Sequence, residues 1–384
     1  MTVEHTERKL ARVVLIDSLH PIKGKDRIEL AMIAGWQVIV QKGLYKAGVT
    51  KAIFFEVDSL IPIDSPAGAS LAGISSKLKH VIDDKLYARI KTMKMAGTLS
   101  QGFCVPLSEI CKDSTVGNDF TRFLGVLKYE AQAEKESIAG GTGVNTGTSA
   151  LGFPKFIPKT DQTRLQNIPV QFNQARDKGE LFEKSFKLDG SSLTAFIRDG
   201  VEGVASRNVG FRLTEEKKGF MQTLKDFIAH VKQRGWKAAK WVPVIKADDN
   251  AFIQMAVESG VFLAMRLDGR NLAIQGEMVG PTIQQNFEGV DKNEFYVYDI
   301  FLIDEQRYML PAERQGFCTA YGIKHVPLGS PHAVTLPVDV AAALADADGP
   351  SGLKGKYREG FVYKSMERDF SFKVISNTYL LKEE

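Results

Sequence analysis

The stretch 183-EKSFKLDGSSLTAF-196 places a lysine inside an apolar run, immediately before an Asp-Gly turn. Charged side chains are seldom buried unless they are paired. A lysine held among Phe186, Leu188 and Leu193 is expected to lose its proton, and a neutral lysine amine is a nucleophile. The alternative is a strand end at which Lys187 extends its stem to reach water. These fourteen residues alone favour the alternative, so the rest of the chain has to decide.

Length and composition limit the class of protein. With 384 residues the chain is expected to form two or three domains. No apolar run is long enough to span a bilayer, and the N-terminal stretch MTVEHTERKLAR lacks the apolar core of a signal peptide, so we expect a cytoplasmic protein without membrane association. The cysteines are Cys104, Cys111 and Cys318, whose spacing suits neither a disulfide framework nor a zinc site.

The first third of the chain contains the entire basic excess and a run of short strands. Residues 1–115 contain 16 Lys and Arg against 12 Asp and Glu, and the remainder contains 34 of each. Five stretches in this third are rich in β-branched and aromatic residues: 10-LARVVLIDSL-19, 35-GWQVIVQKG-43, 52-AIFFEVDSLIP-62, 86-LYARIKTMKM-95 and 102-GFCVPL-107. They predict an N-terminal OB-type β-barrel over residues 1–115.

Cations and aromatic residues are interleaved along this predicted barrel. The residues concerned are Lys23, Lys25, Arg27, Lys42, Lys46 and Lys51, with Trp36, Tyr45 and Tyr87. One interpretation is a nucleic-acid-binding surface that combines phosphate contacts with base stacking. The other is a solvated surface around core aromatic residues. The sequence does not decide between them.

The remainder of the chain is predicted to form a connector and a second domain. Residues 116–152 are expected to connect the two domains and to include a mobile loop rich in Gly, Ser and Thr at 131–152. In residues 153–384 the predicted strands are 193-LTAFIRDG-200, 261-VFLAMRL-267, 272-LAIQGEMVG-280, 295-FYVYDIFLI-303, 360-GFVYKS-365 and 370-FSFKVIS-376. Consecutive strands often lack crossover helices, so we predict an α+β domain with mostly antiparallel sheets.

One helix of this second domain is predicted from its periodicity. It follows Thr214, and its apolar positions repeat at helical spacing. These positions are Phe220, Leu224, Phe227, Ile228 and Val231. We expect them to face the core.

Short polar segments of the second domain match what activation of an acid by ATP requires. That reaction needs a nucleophilic lysine, carboxylates for a hydrated metal ion, cations for the phosphate charge, an aromatic ring for the base and a carboxylate for the ribose. The segments that supply these groups are 187-KLDG-190, 206-SRN-208, 275-QGEMVG-280, 295-FYVYDIF-301, 359-EGFVYK-364 and 371-SFKVIS-376. The glycine-rich 139-AGGTGVNTG-147 lacks the lysine and the strand context of a phosphate-binding P-loop.

These six segments, in this order, resemble the motifs of the covalent nucleotidyltransferases, which include polynucleotide ligases and mRNA capping enzymes. The segment 371-SFKVISNTYLLK-382 is similar to the closing motif of the RNA ligase branch, and 154-PKFIPKTDQTRLQNIP-169 also looks like RNA ligases. DNA ligases and capping enzymes have an OB domain after the closing motif, whereas here the barrel is N-terminal. The chain therefore resembles ATP-dependent RNA ligases with an N-terminal OB domain.

The resemblance implies a fold and a role for each motif residue. The fold is a nucleotidyltransferase domain over residues 153–384, with ATP-grasp-like antiparallel sheets plus helices. Lys187 would be the nucleophile, and Asp189 and Glu359 would hold Mg²⁺ (or Mn²⁺) through water. The nucleotide would be bound by Arg207 on phosphate, Glu277 on the ribose, Tyr298 and Val362 on either side of adenine, and Lys364 and Lys373 on the α-phosphate.

The implied reaction has three steps. Lys187 attacks ATP to give lysyl-AMP, AMP passes to the 5′-phosphate of an RNA strand, and a 3′-hydroxyl then displaces AMP. We expect sealing of RNA ends at nicks in duplexes by a monomeric enzyme, and a DNA strand in a hybrid duplex is a further candidate partner. The alternatives are a DNA or mixed-substrate nick ligase, or a degenerate ligase that acts as an RNA-binding protein.

Two positions depart from the family pattern. Many RNA ligases have a glutamate directly before the nucleophile to recognise adenine, but here this residue is Phe186, with Glu183 farther back. Adenine selectivity is therefore expected to depend on backbone groups or on a residue such as Gln166. The closing motif often has a second lysine, which is absent beside Lys373, so the second positive charge is either missing or supplied by Lys364 or Arg207.

Overall fold

The structure is a computed structural model. It describes residues 8–95, 97–129, 151–159, 162–211, 213 and 250–381. The helix predicted after Thr214 and most of the predicted 131–152 loop lie outside the described residues. Among the described residues, no helix has the length and apolar character needed to cross a membrane.

The N-terminal part is a barrel of short antiparallel strands. Its sheets have the orders β2-β3-β4, β1-β5-β11 and β12-β6-β8-β7, and β9 and β10 form a hairpin. The strands are β1 (Ala11–Leu15), β2 (Ser18–Pro21), β3 (Ile28–Ile33), β4 (Trp36–Gln41), β5 (Lys51–Glu56), β6 (Ser59–Pro62), β7 (Lys79–Ile82), β8 (Lys85–Arg89), β9 (Met93–Met95), β10 (Thr98–Ser100), β11 (Gly102–Pro106) and β12 (Leu127–Lys128). Each of the five predicted strand regions contains at least one strand.

The aromatic residues of the barrel belong to its core. Trp36, Tyr45 and Tyr87 are 0%, 3% and 7% exposed, respectively. Trp36 packs against Phe54 with ring centroids 5.5 Å apart. These three rings are therefore not available for base stacking on the barrel surface, and the second of the two interpretations holds for them.

Part of the predicted connector packs on the barrel. Strand β12 pairs with β6, and the amide of Val13 donates to the carbonyl of Asn118 at 3.0 Å. Leu124 and Val126 are buried in the same core as the barrel strands. The barrel unit thus extends beyond residue 115, the predicted boundary, to about the end of β12.

The described residues of the C-terminal part form two sheets. The larger has the order β13-β18-β17-β16-β19-β20-β21, and the smaller has the order β14-β23-β22-β15. Their strands are β13 (Leu151–Gly152), β14 (Thr163–Arg164), β15 (Phe182–Lys187), β16 (Ser191–Arg198), β17 (Val201–Ser206), β18 (Val209–Phe211), β19 (Leu272–Val279), β20 (Glu294–Leu302), β21 (Arg307–Tyr308), β22 (Gly360–Ser365) and β23 (Ser371–Ile375). Of the described pairings, β14 with β23 is parallel and the others are antiparallel, as predicted.

Helices cover both sheets. They are α1 (Pro169–Asp177), α2 (Ala251–Glu258), α3 (Val261–Asp268), α4 (Pro311–Tyr321), α5 (Val340–Ala347) and α6 (Asn377–Leu380). Residues of α2, α3 and α4 share one core with the larger sheet, and residues of α1 and α5 share another with the smaller sheet. Strand β15 ends at Lys187 and β16 begins at Ser191, so residues 188–190 cross from one sheet to the other.

The strand predicted at 261–267 is wrong, because these residues form helix α3. Gly260 and Gly269 flank the helix in left-handed conformations, with φ of 78° and 83°. Leu, Ala and Met are strong helix formers, and an apolar run of this length does not separate a strand from a buried helix. Val261, Phe262 and Met265 are buried against the larger sheet.

Polar contacts join the barrel to the second domain. The side chain of Asn167 accepts a hydrogen bond from Trp36 Nε1 at 3.3 Å and donates one to Glu56 at 3.0 Å. Gln101 donates to Asn377 at 3.1 Å. The two domains therefore face each other along a polar interface.

Candidate active site

A cavity of about 520 Å³ opens where the chain crosses between the two sheets. This is within the size range of small-molecule sites. All nine residues singled out in the sequence line it: Lys187, Asp189, Arg207, Glu277, Tyr298, Glu359, Val362, Lys364 and Lys373. The fold thus brings together six segments that span almost 190 residues of sequence.

Lys187 and Glu359 are neighbours because of strand pairing. Lys187 is the last residue of β15 and pairs with Gly360, so Glu359 immediately precedes the pairing position. The Nζ of Lys187 donates to a carboxylate oxygen of Glu359 at 2.6 Å. A Cβ on Gly360 would lie 2.0 Å from the carbonyl oxygen of Val374, so only glycine permits this approach of the strands.

The ammonium of Lys187 is stabilised rather than neutralised. Burial lowers its pKa, but Glu359, Glu277 and Asp189 attract the proton more strongly, and the net pKa is raised above the ordinary lysine value. This differs from the expectation that apolar neighbours would remove the proton. The sequence showed the apolar residues next to Lys187 but not the three carboxylates that the fold brings to it.

The other two carboxylates have different surroundings. Burial raises the pKa of Glu277 to about 8; the negative charges of Glu359 and Asp189 add to this effect, and Lys187 opposes it. Asp189 accepts a hydrogen bond from Tyr379 at 3.1 Å, and its backbone amide donates to Glu288 at 3.0 Å. Gly190 follows, where a Cβ would lie 2.1 Å from the carbonyl oxygen of Met278, so the turn between the sheets needs glycine.

Tyr298 and Val362 lie on different sheets and both line the cavity. The pairing of β19 with β20 shifts between Gln275 and Gly276, and Tyr298 is the extra residue of this bulge. Its hydroxyl is 2.7 Å from the hydroxyl of Ser192. This hydrogen bond holds the ring in the cavity, as required of a residue that stacks on a base.

Lys364 has its partners inside the protein. Its Nζ donates to the carbonyl of Tyr298 at 2.7 Å and contacts the carboxylate of Asp299. Burial lowers the pKa of Lys364, while Asp299 opposes this effect. A predicted grip on the α-phosphate together with Lys373 is not supported by these contacts, which instead fix the backbone of the β20 bulge.

The glutamates and glutamines near the nucleophile have distinct positions. Phe186 lines the cavity, but Glu183 is 4% exposed and is bound by Arg314 at 2.5 Å, in a buried cluster behind it. Gln166 lines a second cavity, between the domains, and does not line the first. Neither Glu183 nor Gln166 is therefore in a position to contact a base in the first cavity.

Several residues in the cavity or beside it were not assigned a role from the sequence. Lys128 and Lys159 line the cavity, but each lies outside the six motifs. Gln275 lines it too, directly before the glycine of the third motif. Glu288 binds the Asp189 amide, and its pKa is raised by burial. The motif order could have indicated Gln275, but the other residues depend on tertiary contacts.

The carboxylates suit a metal ion that keeps its own water ligands. Among the described residues, no group of three or more His, Cys, Asp or Glu side chains is close enough to surround an ion. Asp189, Glu277 and Glu359 nevertheless all act on the charge of Lys187. Mg²⁺ retains several waters and is usually held by one or two carboxylates with substrate phosphates, so it does not require three protein carboxylates around it.

Comparison with known families agrees with this geometry. A model of the RNA ligase family matches residues 182–375, which include all nine site residues, and a model of an OB-fold domain matches residues 10–107. This chain belongs to the RNA ligase family. The predicted α+β fold, with an OB-fold barrel before a sheet-rich ligase domain, and the predicted RNA ligase identity are confirmed.

Solved structures of one RNA ligase are similar over almost the whole chain. A Naegleria gruberi RNA ligase mutant with AMP and Mn has 32% sequence identity to this ligase and a TM-score of 0.76, covering 97% of this chain and 98% of that one. The same identity and coverage hold for another mutant with ATP and Mn and for the enzyme with pyrophosphate, each with a TM-score of 0.75. Among curated proteins, none matches this ligase.

Proposed function

We propose that this RNA ligase uses ATP and a divalent metal to join 3′-hydroxyl and 5′-phosphate RNA ends through a lysyl-AMP intermediate on Lys187. The observation that supports this best is the Lys187–Glu359 pair at 2.6 Å inside a cavity of nucleotide size. The similar Naegleria gruberi structures contain ATP or AMP with Mn, or pyrophosphate, which are the substrate, a fragment of the intermediate and the leaving group of such a reaction.

The first step forms one bond and breaks one. The Nζ of Lys187 attacks the α-phosphorus of ATP, an N–P bond forms, and the bond to the pyrophosphate oxygen breaks. The amine must lose a proton, and Glu359 lies within hydrogen-bond distance to accept it. A divalent metal held beside these carboxylates would offset their negative charge, which would lower the pKa of the Lys187 ammonium, and would also offset the charge of the phosphates.

The following steps use the same cavity. The 5′-phosphate oxygen of one RNA end attacks the phosphorus of lysyl-AMP and restores the Lys187 amine. The 3′-hydroxyl of the other end then attacks the 5′-phosphorus, and AMP leaves. Arg207 and Lys373 line this cavity and provide positive charge for the phosphates.

A second cavity between the domains supports RNA binding at nicks. Its lining includes nine Lys or Arg residues against three Asp or Glu residues. Arg12 and Arg89 come from the barrel, and Arg164 comes from the ligase domain. Five residues line both cavities, and four of these are cations: Lys128, Lys159, Arg207 and Lys373, with Gln162 as the fifth. A phosphate backbone leaving the active site would therefore follow a positively charged path between the domains.

The experiment that tests the covalent step uses ATP labelled at the α-phosphate. The full chain is incubated with Mg²⁺ or Mn²⁺, with Lys187→Ala and labelled GTP in parallel, and the protein is separated on a denaturing gel. We expect a label on the wild type that is acid-labile, is removed by pyrophosphate and is absent from Lys187→Ala. A label that persists in Lys187→Ala would contradict the nucleophile assignment.

The strand that accepts AMP distinguishes the remaining candidates. Labelled enzyme is presented with nicked duplexes whose 3′-hydroxyl and 5′-phosphate strands are RNA or DNA in each combination. Sealing only with RNA ends supports the proposal, whereas equal sealing of DNA ends supports a mixed-substrate nick ligase. RNA affinity without any covalent label from ATP would support a degenerate ligase that binds RNA. Cytoplasmic location, a monomeric state and a DNA strand in the duplex remain predictions.

A further inference from the structure

Gln275 is a buried polar residue of the active-site cavity to which no role has yet been assigned. It lies on β19, lines the cavity and is only 1% exposed. Glu277 follows two residues later on the same strand, so both side chains lie on the same face, about 7 Å apart along the strand. On the neighbouring strand, Thr194 pairs with Gln275 and Ser192 pairs with Glu277, which extends this polar face.

The orientation of the Gln275 amide follows from its partner. Its Nε2 donates to the carbonyl of Pro158 at 3.0 Å. A backbone carbonyl only accepts hydrogen bonds, so the amino end of the amide must face Pro158 and the oxygen must face away from it. This Oε1 atom is buried and has no hydrogen-bond partner among the described residues. A buried acceptor without a donor is destabilising, so a ligand donor at this position would be bound favourably.

Adenine presents such a donor. If the ribose is bound by Glu277 and the ring lies between Tyr298 and Val362, as proposed, the base would lie in the part of the cavity that Gln275 lines. Adenine has an amino group at C6, whereas guanine has a carbonyl oxygen there. We infer that Gln275 determines selectivity for adenine, by accepting a hydrogen bond from the 6-amino group of the base through Oε1.

This inference rests on the proposed use of ATP. It assigns adenine recognition to Gln275, because Phe186 stands where many RNA ligases have a glutamate for this purpose. That position has no polar group, and Glu183 is bound in the cluster behind the cavity. Guanine would place an acceptor against an acceptor and would leave Oε1 unpaired. Loss of one hydrogen bond to a buried group corresponds to a factor of about ten to one hundred in affinity.

The test removes the 6-amino group from the nucleotide and the acceptor from the protein. Wild type, Gln275→Met and a control are compared with ATP and with purine riboside 5′-triphosphate, which lacks that amino group. Two readouts are used: equilibrium nucleotide binding and the second-order rate constant for labelling of the protein. We expect wild type to prefer ATP about ten- to one hundredfold and Gln275→Met to show a ratio near one, because its use of ATP alone falls.

Gln166→Met is the matched control. Gln166 is also 1% exposed and also has an Oε1 atom without a partner, but it lines the cavity between the domains. Its substitution should leave the ratio between the two nucleotides unchanged, whatever it does to absolute rates. A ratio that collapses in Gln166→Met but not in Gln275→Met would overturn the inference and would return selectivity to Gln166.

The other possible results also support or contradict the inference. Equal use of the two nucleotides by wild type would exclude recognition of the 6-amino group, and this comparison needs no folded variant. If Gln275→Met does not fold, as judged by thermal denaturation, the wild-type ratio together with rejection of GTP supports the inference. If wild type prefers ATP in binding but is labelled by neither nucleotide, the covalent function fails while the role of Gln275 stands.

Discussion

Lys187 and Lys364, two lysines on paired strands, differ in the partners of their ammonium groups and in the direction in which their pKa values are shifted. Lys187 ends β15 and contacts Glu359, and its side chain is 26% exposed through the cavity. Lys364 lies on β22 opposite Glu183, and its side chain is 8% exposed. The pKa of Lys187 is raised by its carboxylate neighbours despite burial, whereas burial lowers the pKa of Lys364.

The difference lies in which partner each lysine has. Lys364 is bound by Asp299 and by the backbone carbonyl of Tyr298. Lys187 is bound by a carboxylate at the cavity wall, where a metal ion can compete for the carboxylate and a phosphate can compete for the ammonium. A reactive lysine therefore needs a pair that can be opened, while a structural lysine needs one that cannot. The sequence motif alone does not distinguish the two.

Substitution of each lysine with methionine separates the two roles most directly. We expect Lys187→Met to lower adenylylation by about a thousandfold or more, since the nucleophile is lost. Its thermal midpoint should change little, because the site opens to the cavity and water can solvate Glu359. The two readouts are the labelling gel and thermal denaturation. Adenylylation close to wild type would show that Lys187 is not the nucleophile.

Lys364→Met should show the reverse pattern. Removing one partner of a buried ion pair costs about 3 kcal/mol, equivalent to a decrease of about 6–12 °C in the thermal midpoint. The control is Lys184→Met, whose ammonium pairs with the more exposed Asp346 and should contribute less than about 1 kcal/mol. Equal midpoints for the two variants would refute the structural role of Lys364.

The pH dependence of adenylylation tests whether Glu359 controls the protonation of Lys187. Only the neutral Lys187 amine attacks, so the rate should rise with pH while the raised pKa keeps the amine protonated. Glu359→Gln removes the negative charge that raises this pKa, so the profile should move to lower pH. The maximal rate should also fall, on the order of tenfold, through loss of a charged hydrogen bond. An unshifted profile would mean that Glu359 does not control the proton on Lys187.

The smallest expected effect is on RNA binding and comes from a third lysine. Lys128 is exposed on β12 and lines both cavities, so Lys128→Gln should weaken RNA binding a few-fold at physiological salt. The slope of log affinity against log salt should fall by about one, the value for one phosphate contact. Lys23→Gln, an exposed barrel substitution away from both cavities, is the control. The same slope change in both variants would place the RNA elsewhere.

The features that depend on residues close together in the sequence could be predicted from it. The alternation of short strands predicted the barrel, and the order of six polar segments predicted which nine residues line one cavity. Each of these segments lies at a strand end or on a strand face, where local spacing determines the direction of a side chain. The Asp-Gly turn at 189–190, identified in the sequence, lies where the chain crosses between the two sheets.

The features that the sequence did not predict depend on contacts between segments that are far apart in the chain. The partner of Lys364 is set by the bulge at Tyr298, and this irregular pairing leaves no trace in the spacing of apolar residues. The charge on Lys187 depends on Glu277 and Glu359, which come from other strands. An apolar run such as 261–267 fits a strand or a helix equally, and its burial against the larger sheet decides.

The two hydrogen bonds of Asn167 limit which barrel can be joined to this ligase domain. One amide group of the ligase domain needs a donor from Trp36 and an acceptor from Glu56, on two different strands of the barrel. A chimera that receives a foreign barrel would have to inherit both residues together, since either alone leaves half of the amide unsatisfied. We therefore expect a transplanted barrel to form this interface only when it carries both residues.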